Sequence, residues 1–173
     1  MYSWHCISEM NNMTNIRVAQ SMDDDVIAQL LIKSFAHLYT EMGVEMSSER
    51  TGYLKDQAAR RMFATCFVYE VVGEIVGTVT IVPPCSHSKA WLSGAWELRL
   101  LAVDPQIQGQ GIARKLLKFA EQNANAAGAR IICLHARRGV SNQARLYLTR
   151  GYVRDPSGDL DTHPFQEGYR KDL

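Results

Sequence analysis

Long apolar runs are missing from this chain. None approaches the roughly 20 residues of a membrane-spanning helix, so no membrane partner is expected. The N-terminus, Met1-Tyr2-Ser3-Trp4-His5-Cys6, lacks a basic region followed by a long apolar segment. No secretory signal is legible there, and a cytoplasmic protein is the expectation. A dominant charge is missing too: 19 Lys and Arg against 18 Asp and Glu leave a net charge of +1. That balance speaks against nucleic acid or an anionic membrane surface as partner. Cysteine is sparse. Cys6, Cys66, Cys85 and Cys133 form no Cys-x-x-Cys pair, which disfavours a disulfide framework and, with only five scattered histidines, a zinc site. Reduced, unpaired thiols and no metal are expected.

What is present suits one domain with a real core: 173 residues, 46% of them hydrophobic, without repeats or a linker. Residues 1–14 are polar, Met/Asn-rich and aperiodic, a flexible leader; the domain runs from 15 to 173. Ile16–Gln20 alternates as a short strand. Asp23-Asp24-Asp25 then opens a helix through Phe35, its acids serving as cap and dipole partners rather than metal ligands. Ser47-Ser48-Glu49 opens a second helix through about Met62, with Arg50, Lys55, Asp56, Arg60 and Arg61 exposed. Cys66–Val72 and Ile75–Val82, split by Gly73-Glu74, read as a hairpin stopped by Pro83-Pro84. Residues 85–95 form a loop long enough to suggest a role in a site.

The most informative stretch is Trp96 to Leu117. Trp96–Val103 reads as a buried strand bounded by Pro105, and Ile112, Leu116, Leu117, Ala120 and Ala124 recur at helical spacing. Between them, Gly109 and Gly111 bracket one residue at the strand-to-helix junction. Backbone N–H groups there are unblocked by Cβ atoms and sit at the positive end of a helix dipole, which suits a phosphate. Arg99–Arg154 holds ten Lys/Arg (Arg99, Arg114, Lys115, Lys118, Arg130, Arg137, Arg138, Arg145, Arg150, Arg154) against Asp104 and Glu121. That excess is either a solvated face or a cationic surround for a polyanionic cofactor. Arg130–Ala136 is a further strand, completing a parallel crossover. Ser141-Asn142-Gln143 reads as the cap of a helix through Arg150. Short strands around Tyr152–Arg154 and Gly168–Leu173 close the chain, an edge of which could pair in a homodimer.

The Lys-Ser/Thr of an ATP loop and the three-glycine dinucleotide fingerprint are both absent. Gln108-x-x-Gly111-x-Ala113 after Val103-Asp104-Pro105 instead resembles the pyrophosphate motif Gln/Arg-x-x-Gly-x-Gly/Ala of the GNAT acyltransferases. Leu146-Tyr147 with Gly151-Tyr152 resembles that family's Leu-Tyr-x-x-x-Gly-Phe/Tyr signature. The order of elements over roughly 15 to 173 is similar as well. The resemblance implies an α/β (α+β) fold, a mixed central sheet of about six to seven strands with helices on both faces. It further implies acetyl-CoA as co-substrate and acetyl transfer to a primary amine of a small molecule or peptide, by direct attack in a ternary complex.

Carried over position by position, the amides of Gln108, Gly109, Gln110, Gly111, Ile112, Ala113 and Arg114 would wrap the pyrophosphate. The main chain of Leu101, Ala102 and Val103 would receive the pantetheine and polarise the thioester carbonyl. Tyr147 would give a proton to the departing thiolate. Glu97 lies six residues before Val103, where histone-type members place a base; an ion pair with Arg99 is the equal alternative. His135 is a lesser candidate, a satisfied core histidine being the simpler account. Many members carry asparagine seven positions before the tyrosine. Here that position is Val140, so Asn142 is either a pantetheine contact or a helix cap. Two other functions stay open: a CoA-binding regulatory module without turnover, and a protein N-terminal or lysine acetyltransferase.

Overall fold

The structure, a computed structural model, describes residues 15–161 and 164–173; the expected leader over 1–14 lies outside them. Seven strands form one mixed sheet: β1 Ile16–Val18, β2 Thr65–Val71, β3 Glu74–Val82, β4 Trp96–Val103, β5 Ile131–Arg137, β6 Val153–Arg154 and β7 Gln166–Asp172. Their spatial order is β1-β2-β3-β4-β5-β7-β6. Among the described residues the α-helices are α1 Asp24–Glu41, α2 Ser48–Lys55, α3 Gln57–Arg61, α4 Ile112–Ala126 and α5 Ser141–Leu148. Only β4 and β5, joined through α4, run parallel. Cys66, Cys85 and Cys133 are free thiols.

Period-two alternation sends side chains to two cores, one on each face of the sheet. From β2, Phe67 and Tyr69 join Val79, Ile81, Leu116 and Leu117 under α4, while Cys66 and Val68 join Ile27, Leu31 and Leu54 under α1 and α2. Gly77 of β3 allows α4 to approach: a Cβ there would stand 2.9 Å from Leu116 Cδ1 and 3.1 Å from Ile112 Cγ2.

Strand β4 breaks the alternation. Leu98 belongs to the α4 core and Leu100, two residues on, to the α1 core. A bulge makes the change: Leu100 has φ 55°, and the register to β3 slips between Thr78 and Thr80, leaving Leu101 unopposed. Strand β5 follows β4 only over the pairs Trp96–Ile132, Glu97–Cys133 and Leu98–Leu134. From Arg99 onward the main chain of β4 has no β5 partner. A split in the sheet results, and a β-bulge beside it re-aims the side chains.

Local expectations fail in two places. The single helix from Ser48 to Met62 is two. Asp56 leaves the helical region (φ −84°, ψ 61°), and its side chain accepts the Ala59 N–H to start α3. Arg60, expected exposed, is buried and donates to the Tyr53 and Leu54 carbonyls at the end of α2 and to Gln57 Oε1. A side chain thus takes the acceptors that a continuing helix would have used. Arg61 pairs with Asp24 at 2.8 Å. The second failure is at α5, which opens at Val140 with no side-chain cap. Ser141 and Asn142 are already helical, and Gln143 Oε1 reaches back to accept the Arg137 N–H at 3.1 Å. The helix ends at Leu148, before Arg150, because Gly151 turns the chain at φ 86°.

Candidate active site

The glycine turn forms where it is expected. Asp104 caps a 3₁₀ turn over Pro105–Ile107, accepting the Gln106 N–H at 3.0 Å, and is fixed by Lys33 at 2.8 Å. Gly109 and Gly111 follow at φ 83° and 78°, where an L side chain costs roughly 1–2 kcal/mol. Open space lies where their Cβ atoms would be. Among the described residues, none of the amides from Gly109 to Arg114 donates to another protein group. They gather at the positive end of α4. The Gln108 side chain turns inward and donates to the Val103 carbonyl at 3.3 Å, so it braces the turn while its amide stays on the outside.

These residues line a groove of about 660 Å³ between α1 and α5. Leu101, Ala102, Val103, Gln108, Gly109, Gly111, Ile112, Ala113, Arg114 and Asn142 all face it; Gln110 does not. Asn142 is exposed and caps nothing. A second cavity of about 360 Å³ meets the groove at Phe35, Leu101, Gln143 and Tyr147. The main chain of β4 that lacks a β5 partner lies where the two spaces join.

Tyr147 is 6% exposed, its ring held by Tyr152 at 5.8 Å and Tyr169 at 6.2 Å. Gly151 reverses the chain so that Tyr152 returns to it, which is why the two halves of the Leu-Tyr…Gly-Tyr signature belong together. No described group hydrogen-bonds its hydroxyl, and burial pushes the phenol well above its ordinary pKa. Glu97 also lines the second cavity, 3% exposed. Its Oε2 accepts from the Lys89 N–H at 2.6 Å and from Arg99; Oε1 lies outside both bonds. His135 shares the cavity. Its Nε2 meets the Gly158 carbonyl at 2.9 Å, its ring packs on Trp91, and burial lowers its pKa: it is a neutral, satisfied imidazole.

The basic excess divides. Arg114 and Arg145 face the groove. Arg150 is taken by Glu121 and Arg154 by Asp159, each at 2.5 Å. Arg99 and Arg137 face the second cavity instead, as does Arg50 of α2, whose place in a site nothing in its helical surroundings signalled.

The model of the GNAT acetyltransferase domain matches residues 62–154, over half of the chain and inclusive of Glu97, the glycine turn and Tyr147. The chain belongs to the GNAT acetyltransferase family. No curated protein matches it by sequence. Solved GNAT structures share the fold. The PaiA N-acetyltransferase of Thermoplasma acidophilum, in complex with coenzyme A, is 15% identical with a TM-score of 0.72, over 91% of this chain and 98% of its own. YncA of Salmonella typhimurium, solved with its cofactor acetyl-CoA, is 19% identical with a TM-score of 0.66, over 91% and 92%. The ribosomal-protein-alanine N-acetyltransferase of Brucella melitensis is 18% identical with a TM-score of 0.64, over 91% and 99%.

Proposed function

We propose that this GNAT domain, spanning residues 15–173, moves an acetyl group from acetyl-CoA to a primary amine that attacks directly in a ternary complex. One observation carries the reading: a groove ending in free amides meets a second, smaller cavity at Leu101 and Tyr147. Two reactants held on either side of one point need no covalent enzyme intermediate, and positioning alone supplies much of the rate.

The residues present fit CoA. The unpaired amides of Gly109–Arg114 and the open space over Gly109 and Gly111 suit a diphosphate, with Arg114 and Arg145 adding charge. The unpartnered edge of β4, Leu101 to Val103, suits an extended amide-bearing arm, and Asn142 flanks it. CoA supplies an acyl group activated as a thioester. The N–H of Leu101, freed by the bulge, donates toward the carbonyl oxygen as charge develops there. Tyr147 Oη, kept protonated by burial, donates its proton to the leaving sulfur. The same dry surroundings raise the basicity of that sulfur, so the transfer is not penalised by the high phenol pKa. Glu97 Oε1 takes the amine's proton, through water where the amine stands too far away.

The test is acetyl-CoA with a set of primary amines, reading free thiol and the acetylated product by mass. Amine-dependent release with one acetyl per thiol supports the reading. Tight CoA binding with no amine acetylated would favour a regulatory module.

A further inference from the structure

The second cavity holds more positive charge than catalysis of an amine needs. Its walls carry four cations (Arg50, Lys89, Arg99, Arg137) and two carboxylates (Glu49, Glu97): four minus two leaves +2. Glu97 is spent on Arg99, and Glu49 is exposed at the start of α2. Arg50 and Arg137 therefore have no carboxylate among the described residues. Arg137 is 8% exposed and donates to neutral oxygens only, the Pro164 carbonyl and Tyr39 Oη, both at 2.8 Å. Arg50 makes no side-chain hydrogen bond among the described residues. Its guanidinium lies 4.8 Å from the Phe35 ring and 5.3 Å from that of Tyr53. The Nε atoms of Arg50 and Arg99 are buried without partners.

Burial disfavours the charge of Arg50 and of Arg137, and each also repels the other. Guanidinium groups do not lose their protons in compensation. A cluster of that kind destabilises the protein alone, and an anion relieves it. Planar forks bind carboxylate and phosphonate oxygens in pairs, while Phe35, Tyr39 and Tyr53 offer flat surfaces to a short carbon skeleton. Resting on the acetyltransferase reading, we infer that the acceptor is a small amine bearing an oxyacid group, held by Arg50 with Arg99 and Arg137. The amine faces Leu101 and Tyr147, and the acid faces Arg50. Polyamines are excluded as good substrates, since a second ammonium would enter a cavity already at +2.

The experiment uses the CoA-loaded protein. β-Alanine, 4-aminobutyrate, L-phenylalanine and 2-aminoethylphosphonate are titrated beside the matched carboxamides of the three amino acids and beside spermidine, and thiol release from acetyl-CoA is followed in parallel. At least one acid binds about 10-fold or more tightly than its neutral counterpart or spermidine, in line with a charge-assisted pair. The phosphonate arm decides between the two oxyacids. Arg50→Gln brings the acid-to-amide ratio below about 3, and Arg50→Lys restores part of it. Amides or spermidine equal to the acids, no preference for any acid, or a ratio untouched by Arg50→Gln overturns the inference. If CoA itself fails to bind, the acetyltransferase reading is what falls; if CoA binds and acids are not preferred, only the acceptor class falls.

Discussion

Tyr147→Phe removes one oxygen at the junction of the two cavities. In the folded protein that oxygen has no hydrogen-bond partner among the described residues, and the ring keeps its contacts with Tyr152 and Tyr169. The change orphans nothing. Because an unpartnered buried hydroxyl is a liability, stability moves by at most about 1 kcal/mol, upward. Rate behaves differently. A positioned proton donor contributes roughly 10²–10⁴-fold, or about 2.7–5.4 kcal/mol of barrier at about 1.36 kcal/mol per decade. We expect kcat to fall about 10²-fold or more, with CoA affinity within about threefold, since no cofactor contact is lost. Burial raises the phenol's pKa, so the group is protonated below its ordinary pKa of about 10 and beyond it. Wild type and variant therefore share the shape of their pH profiles between about pH 6 and pH 9. Steady-state thiol release, calorimetry with CoA and a thermal melt complete the measurement. A folded, CoA-binding variant with kcat within about threefold of wild type would refute the donor role and leave Tyr147 as an interior aromatic.

Glu97→Gln keeps an acceptor for the Lys89 N–H but removes the proton acceptor and the ion pair with Arg99. It lowers kcat about 10²-fold and lowers the melting temperature; a wild-type rate would eliminate Glu97 as the base. Gly77→Val drives methyl groups into Leu116 and Ile112 and costs about 1–3 kcal/mol in a urea titration, an unchanged midpoint counting against close packing of α4 on β3. Asp23 is held below the ordinary carboxylate range by Arg17, which donates at 2.6 Å. A folded pKa below the unfolded one contributes stability that is present above about pH 4 and is lost as pH falls through the folded value. Asp23→Asn therefore flattens acid unfolding followed by circular dichroism; an unaltered acid limb would show that the pair does not stabilise the fold.

Much of this was legible because it is local. The glycine turn, the hairpin and the apolar stripe of α4 depend on backbone freedom and periodicity within a few residues. The Tyr147–Tyr152 pair follows from one glycine between them. Long-range features were not legible. Nothing in Arg99-Leu100-Leu101 marks the positive φ of Leu100, because the bulge is imposed by pairing with β3 on one side and divergence from β5 on the other. The break at Asp56 required knowing that Arg60 folds back onto the Tyr53 and Leu54 carbonyls. Charge counting placed Arg99 and Arg137 around the phosphate, whereas strand direction carries both to the acceptor side. Arg50 joins them from a helix far away in sequence.

The central claim is that the amides after Gln108 seat a diphosphate, and CoA titrated beside pantetheine, which lacks that group, tests it most directly. Wild type should prefer CoA by about 10²-fold or more, as charge-assisted contacts to several oxygens require. In Gly111→Glu, which sets a carboxylate into the open space over the turn, that preference should vanish while the melt stays cooperative. A folded Gly111→Glu protein with undiminished affinity for CoA would contradict the account.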